Sequence, residues 1–324
     1  MKTLFIILIA LSACSKKMHT ARIVLLPDTQ TYAEKFPHIL DTQINWISKN
    51  AKEINFVLQQ GDLTQNNNDK EWKVVQSAFS RLDKKVPYVL ALGNHDMGSV
   101  AGKFADVRNT TLYNQYFPYR QMSSLPGFAG SFEVNKTDNA YYLFKTGKVK
   151  WLVLNLEFGP RDAVVKWANG IVRQHADRLV ILNTHSYMYS DSTRQGAKDN
   201  WRAQVYGVGK DSGDSAVNDG EQLWTKLVKN FANFRFTFSG HILNTGVGTL
   251  VSINDAGFPV YQMLANYQEG VEGSINGGNG WLRIIDMDFK KRSLKVSTYS
   301  PFLNEYMKKP GHEFIIKNVM YLPR

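Results

Sequence analysis

Apolar runs that stop abruptly at glycine or a polar residue recur along this chain and set its organisation. Residues 22–27 are β-branched and leucine-rich and end at Asp28, the pattern of a buried strand feeding a loop. Over 37–54, Ile39, Leu40, Ile44, Ile47 and Ile54 fall near helical spacing, and Pro37 suits a first turn. A second strand is predicted at 55–60, ahead of Gly61-Asp62, then an amphipathic helix at 69–83 and a third strand at 86–92, stopped by Gly93. Later, 140–156 reads as two strands joined at Thr146-Gly147, followed by a helix (162–174), a strand (179–184), a helix (219–231) and a strand (234–238). Beyond that the pattern is mostly strand, with a hairpin near 290–293.

The opening strand-loop-helix rhythm predicts parallel strands, because parallel neighbours need a crossover. Ligands of such sheets gather beyond the carboxyl ends of the strands. Asp28, Asp62 and Asn94 each follow one of the first three strands, so the pattern gathers them at one edge. The hairpins of the later chain require an α/β fold with a mixed sheet, or with two sheets packed between helices.

Taken singly, each of these polar residues has an ordinary explanation: Asp28 as a helix cap, Asn94 as a turn residue, Gly-Asp as a loop. Their order changes the picture: Asp28-Thr29-Gln30, Gly61-Asp62, Gly93-Asn94-His95-Asp96, Asn183-Thr184-His185, Gly240-His241. In that order and over residues 22–243 the chain resembles the calcineurin-like metallophosphoesterases, whose signature runs Asp-x-His, Gly-Asp, Gly-Asn-His-Asp/Glu, His, Gly-His-x-His. The resemblance implies a sandwich of two mixed β-sheets flanked by α-helices, carrying two divalent metal ions drawn from Mn, Mg, Fe, Zn or Ca. It implies that Asp62 bridges both ions, that Asn94, His185 and His241 complete one site, and that Asp28 belongs to the other. A metal-bound hydroxide would attack phosphorus, with His95 as general acid or charge stabiliser. Asp96 is expected to fix the turn.

Two positions depart from that signature: Gln30 and Leu243 stand where the family has histidine. By the resemblance, both losses fall on the same ion, which would keep Asp28, Asp62 and the amide oxygen of Gln30. In an extended chain alternate side chains share a side, which lets Gln30 face the ion beside Asp28. Oxygen donors favour manganese, magnesium or calcium over zinc, so one weaker, oxygen-rich position beside a conventional one is expected. Asn244, one residue late, is a possible substitute for the lost histidine.

Composition adds limits. The 324 residues, 43% hydrophobic and 21% charged, fall in the globular range. Residues 1–13 combine Lys2 with a short apolar run, too short to span a bilayer stably. They end at Leu11-Ser12-Ala13-Cys14, which resembles a bacterial lipobox. The expectation is therefore a lipoprotein signal at 1–13, lipid attachment at Cys14, a tether at 14–20 and one domain at 21–324, exported to the cell envelope and held at a membrane by its lipid. Cys14 is the only cysteine, so no intrachain disulfide is available.

The net charge of +11 is dispersed. It suits steering of an anionic substrate, and nucleic acid is not an expected partner. Residues 186–217 form a long polar segment in which Arg194, Arg202 and Tyr206 are candidate substrate-binding groups, for clamping phosphate or stacking on a base or sugar. The five glycines of 269–280 lack a nucleotide-cradling order and are read as a rim near Asn266, Tyr267 and Gln268. Glu157 is read as a loop anchor near the site edge. The functional reading is hydrolysis of a phosphomonoester or phosphodiester on a small molecule, glycan or lipid. The alternative is a cell-surface binding module whose depleted metal site no longer turns over.

Overall fold

The computed structural model describes residues 19–321. The expected signal and Cys14 lie outside the described residues. Strands β1 (Thr20–Leu26), β2 (Phe56–Gln59) and β3 (Tyr88–Leu90) run parallel. Between them come α1 (Gln30–Glu34), α2 (Pro37–Lys49) and α3 (Asp69–Phe79). After the short helices α4 (Thr111–Tyr116) and α5 (Tyr119–Met122), the chain builds a second sheet. It contains β4 (Phe128–Ser131), β5 (Ala140–Thr146), β6 (Val149–Leu156), β7 (Leu179–Thr184), β8 (Phe234–Ser239), β9 (Val247–Ile253) and β10 (Pro259–Ala265). Their spatial order is β4-β5-β6-β7-β8-β10-β9, parallel from β6 through β10 and antiparallel at both margins.

The chain then returns to the first sheet. β11 (Leu282–Asp288) pairs antiparallel with β1, and β12 (Ser293–Ser300), β13 (Glu305–Met307) and β14 (Phe314–Lys317) complete that edge. Each sheet has seven strands of mixed direction, as the family resemblance implies.

Alternation along β1 explains the layering. Val24 and Leu26 face Ile39, Leu40, Ile44 and Ile47 of α2, whereas Ile23 and Leu25 join Trp151, Ile181 and Phe236 of the other sheet. The outer face of the second sheet is covered by Val164, Ala168 and Val172 of α6 (Asp162–Gln174) and Leu223 of α7 (Gly220–Lys226). Polar links also cross the sandwich: Asn183 Nδ2 donates to the Gln59 carbonyl at 2.9 Å, and Asn155 Nδ2 to the Leu90 carbonyl at 3.0 Å. These bonds tie the carboxyl ends of β6 and β7 to those of β2 and β3, where the motif residues emerge.

Three helices are shorter than their patterns: α3, expected to reach residue 83, ends at Phe79 and passes into a 3-10 turn at Ser80–Leu82. α2 ends at Lys49, and the helix expected at 219–231 divides into α7 and a 3-10 turn at Val228–Asn230, because Leu227 (φ −135, ψ −65) leaves helical geometry. Among the described residues no helix is long and apolar enough to cross a membrane.

Candidate metal centre

Three of the residues that end strands are bent sharply. Asp28, Asp62 and His241 have φ of 41, 53 and 74, a region that costs a non-glycine residue local strain. These bends turn three side chains from separate loops into one buried cleft between the sheets. The adjoining glycines are required by crowding: a Cβ on Gly240 would collide with the Asp28 carboxylate, and one on Gly93 with the carboxylate and backbone nitrogen of Asp62.

Asp62, His185 and His241 offer ligand atoms that all lie within 4.8 Å of one another. His185 Nε2 is 3.2 Å from Asp62 Oδ1 and 3.1 Å from His241 Nδ1. The far ring nitrogens are held by backbone: His185 Nδ1 by the Gln60 carbonyl at 2.8 Å, His241 Nε2 by the Trp201 carbonyl at 2.6 Å. Donation to those carbonyls turns one lone pair of each ring toward the carboxylate. Two lone pairs and a carboxylate converging at such distances repel unless a proton or a cation lies among them. Asn94 Oδ1 and Gln30 Oε1, buried and without a hydrogen-bond partner, add two acceptors to spare. The donor set therefore fits divalent cations: carboxylate, carboxamide and imidazole, arranged with acceptors in excess.

The electrostatics agree. Burial, joined by Asp62, pushes the Asp28 carboxyl well above the usual range. Burial acts the same way on Asp62, but His185 and His95 outweigh it and hold that carboxyl low. Burial disfavours a charged His185, yet Asp62 and Asp28 raise it to about 9, while burial and His185 lower His241 to about 3.

Asp28 adjoins the triad of Asp62, His185 and His241 through the backbone of His241. Its two oxygens accept the His241 N–H at 3.0 and 3.2 Å, and Oδ1 also accepts from Gln268 Nε2 at 3.1 Å. Gln30 does reach the centre, with Nε2 3.1 Å from Asp62 Oδ2 and also donating to Gln268 Oε1. The route differs from the expected one, since Gln30 opens α1 instead of continuing an extended chain. Asn244 does not replace the missing histidine: its amide turns outward to Ser190 Oγ at 3.0 Å.

His95 stands at the mouth. Its N–H donates to Asp62 Oδ1 at 3.0 Å, its Nδ1 meets the Gln65 carbonyl at 2.8 Å, and Nε2 faces Asp62 Oδ2 at 4.0 Å. Phe104 stacks on the ring at 3.9 Å. The ring lines a pocket of about 420 Å³ with Thr31, Glu34, Lys35 and Gln268. Asp96 fixes the turn: it accepts from the N–H groups of Leu63, Thr64 and Gly93 at 2.9–3.0 Å, and burial with Asp62 nearby pushes it up to about 6.

Of the residues from the 186–217 segment, Tyr206 lies beside the centre, its ring 6.2 Å from that of His241. Arg194 is engaged elsewhere, with Glu221 at 3.0 Å, Ser252 at 2.9 Å and the Trp224 ring. Arg202 faces Asp219 electrostatically. Glu157 is an anchor, paired with Arg108 at 3.3 Å and Arg161 at 2.8 Å. Gln268, Phe104, Trp201 and Phe158, whose ring is 5.3 Å from His241, were not signalled as site groups by any motif.

The chain is 30% identical over 300 residues to the uncharacterized protein YvnB of Bacillus subtilis (strain 168); the match covers 90% of this chain and spans about a fifth (20%) of that protein's length. Its fold is similar to the purple acid phosphatase PPD1 of yellow lupin (Lupinus luteus), with a TM-score of 0.55 at 14% identity, covering 92% of this chain and 54% of that one. The family model for calcineurin-like phosphoesterases matches residues 21–244, which span every motif from Asp28 to His241, and the chain belongs to that family.

Proposed function

We propose that this protein hydrolyses a phosphate ester, monoester or diester, using two divalent cations. The observation that carries the reading is the convergence of Asp62, His185 and His241 within 4.8 Å, beside the unpartnered oxygen of Asn94. Asp62, Asn94, His185 and His241 would hold one cation; Asp28, Asp62 and Gln30 the other, weaker one. Divalent cations held there supply Lewis-acid polarisation of the phosphate and the means to acidify water near neutral pH. His95, with Nδ1 tied to the Gln65 carbonyl and Nε2 4.0 Å from Asp62 Oδ2, would give a proton to the departing alcohol oxygen. Phe104 and the Asp62 contact restrict the ring to that orientation. Tyr206, whose ring lies 6.2 Å from that of His241, would meet the organic part of the substrate.

A screen of chromogenic monoesters and diesters with added manganese tests the reading and separates the two substrate classes. Asp62→Ala should remove both cations and reduce turnover to background. A wild-type protein that binds manganese yet hydrolyses nothing in the screen would favour the alternative of a metal-bearing binding module, for which the loss of two family histidines speaks. We further propose export and anchoring through lipid on Cys14, supported by the apolar run at 1–13 and its small-residue ending. Metabolic labelling with a radioactive fatty acid should mark the wild type and leave Cys14→Ser unlabelled.

A further inference from the structure

Where the signature calls for two histidines, the structure holds two carboxamides. Asp28, Gln268, Gln30 and Asp62 form a continuous buried chain: Gln268 donates to Asp28 at 3.1 Å, Gln30 donates to Gln268, and Gln30 donates to Asp62 at 3.1 Å. Gln268 is 9% exposed and Gln30 fully buried, and it is uncommon to bury two primary amides against two carboxylates without a purpose. The backbone around Gln268 is held to the His241 loop. Its N–H donates to Asn266 Oδ1 at 3.0 Å, Asn266 Nδ2 donates to the Ile242 carbonyl at 3.3 Å, and Asn266 N–H to the Gly246 carbonyl at 2.7 Å. Leu243 packs under the same segment: a Cβ on Gly270 would meet its Cδ1 at 3.2 Å. The residue that lost the imidazole thus supports the strand exit that delivers Gln268.

Building on the metallohydrolase reading above, we propose that Gln268 replaces the missing histidine as a ligand of the weaker cation. With Asp28, Asp62 and Gln30 it makes an all-oxygen position for a hard ion. A half-turn of each amide exchanges its nitrogen for its oxygen in the same place, so the hydrogen-bond chain seen here and a set of four oxygen donors need only that rotation. Four oxygens favour magnesium, manganese or calcium, whereas the neighbouring position with two imidazoles suits softer ions.

The test is a calorimetric titration of the full-length protein with manganese, then zinc. Wild type should show two classes of manganese site. Gln268→Ala should weaken the lower-affinity class about tenfold or more and leave the tighter class in place. Gln268→Glu should tighten the weaker class while lowering the melting temperature of metal-free protein, because a third carboxylate then adjoins Asp28 and Asp62; a purely structural glutamine would not produce that opposed pair. If the alanine variant fails to fold, Gln268→Asn, one methylene too short to reach, takes its place. A weaker class unmoved by Gln268→Ala, or a single class in the wild type, overturns this assignment while leaving the hydrolase reading intact. A wild-type chain that binds no divalent ion overturns the hydrolase reading itself.

Discussion

At the residue scale, two of the three motif glycines, Gly240 and Gly93, make different demands. The nearest atoms to a Cβ on Gly240 belong to the Asp28 side chain, whereas one on Gly93 also meets the backbone nitrogen of Asp62. Gly240→Ala should therefore leave the urea midpoint nearly unchanged and weaken metal binding, while Gly93→Ala should cost ~1–3 kcal/mol of stability, read by urea unfolding. His95 belongs to neither group. His95→Gln should keep metal stoichiometry, measured by elemental analysis, and reduce turnover by about 100- to 10,000-fold. Asp28, Asp62, Asn94, His95, His185 and His241 are legible in the sequence because each follows an apolar run at a glycine or strand end. Gln268 is not, since it stands in no motif and acts through a contact 240 positions distant from Asp28. Trp201 contributes a backbone carbonyl, which no side-chain pattern announces.

At the element scale, strands were read well, and the short pieces were not. Apolar runs that stop at glycine or a polar residue mark β1, β2, β3, β7 and β8, because parallel strands buried on both faces need no alternation. The five residues of α1 are too few to show a helical period, and taking them as extended chain gave Gln30 the wrong backbone though the right destination. The 186–217 segment, expected to offer substrate-binding groups, also holds His241 through the Trp201 carbonyl on its Nε2, with Trp201 itself at φ 58. Occupancy of the centre should therefore stiffen this segment. Hydrogen exchange around residues 199–206 should slow on adding manganese, while exchange around 301–309, remote from the centre in the sheet order, stays unchanged.

For the whole molecule, acid should be the damaging direction. Glu157 is buried, and although burial opposes its charge, Arg108 and Arg161 hold its carboxyl below the usual range. Its contribution is present above the ordinary glutamate pKa and is lost as pH falls through the lowered one. His312 is lowered from 6.5 to about 4 by burial and the nearby Arg283 and Lys309. The unfolded chain binds that proton first, so stability declines as pH falls from about 6.5 toward 4. His312→Asn should flatten the melting-temperature profile in that interval relative to wild type, and Glu157→Gln should alter it only at lower pH.

The centre also straddles the sandwich. Asp28, Asp62 and Asn94 leave the first sheet, and His185 and His241 leave the second, so neither sheet by itself carries a full ligand set. If these residues hold the ions as proposed, capture of the first tightly bound ion would follow docking of the halves and serve as a clock for that event. A chain stalled with its sheets apart would be blind to metal at concentrations that saturate the finished protein.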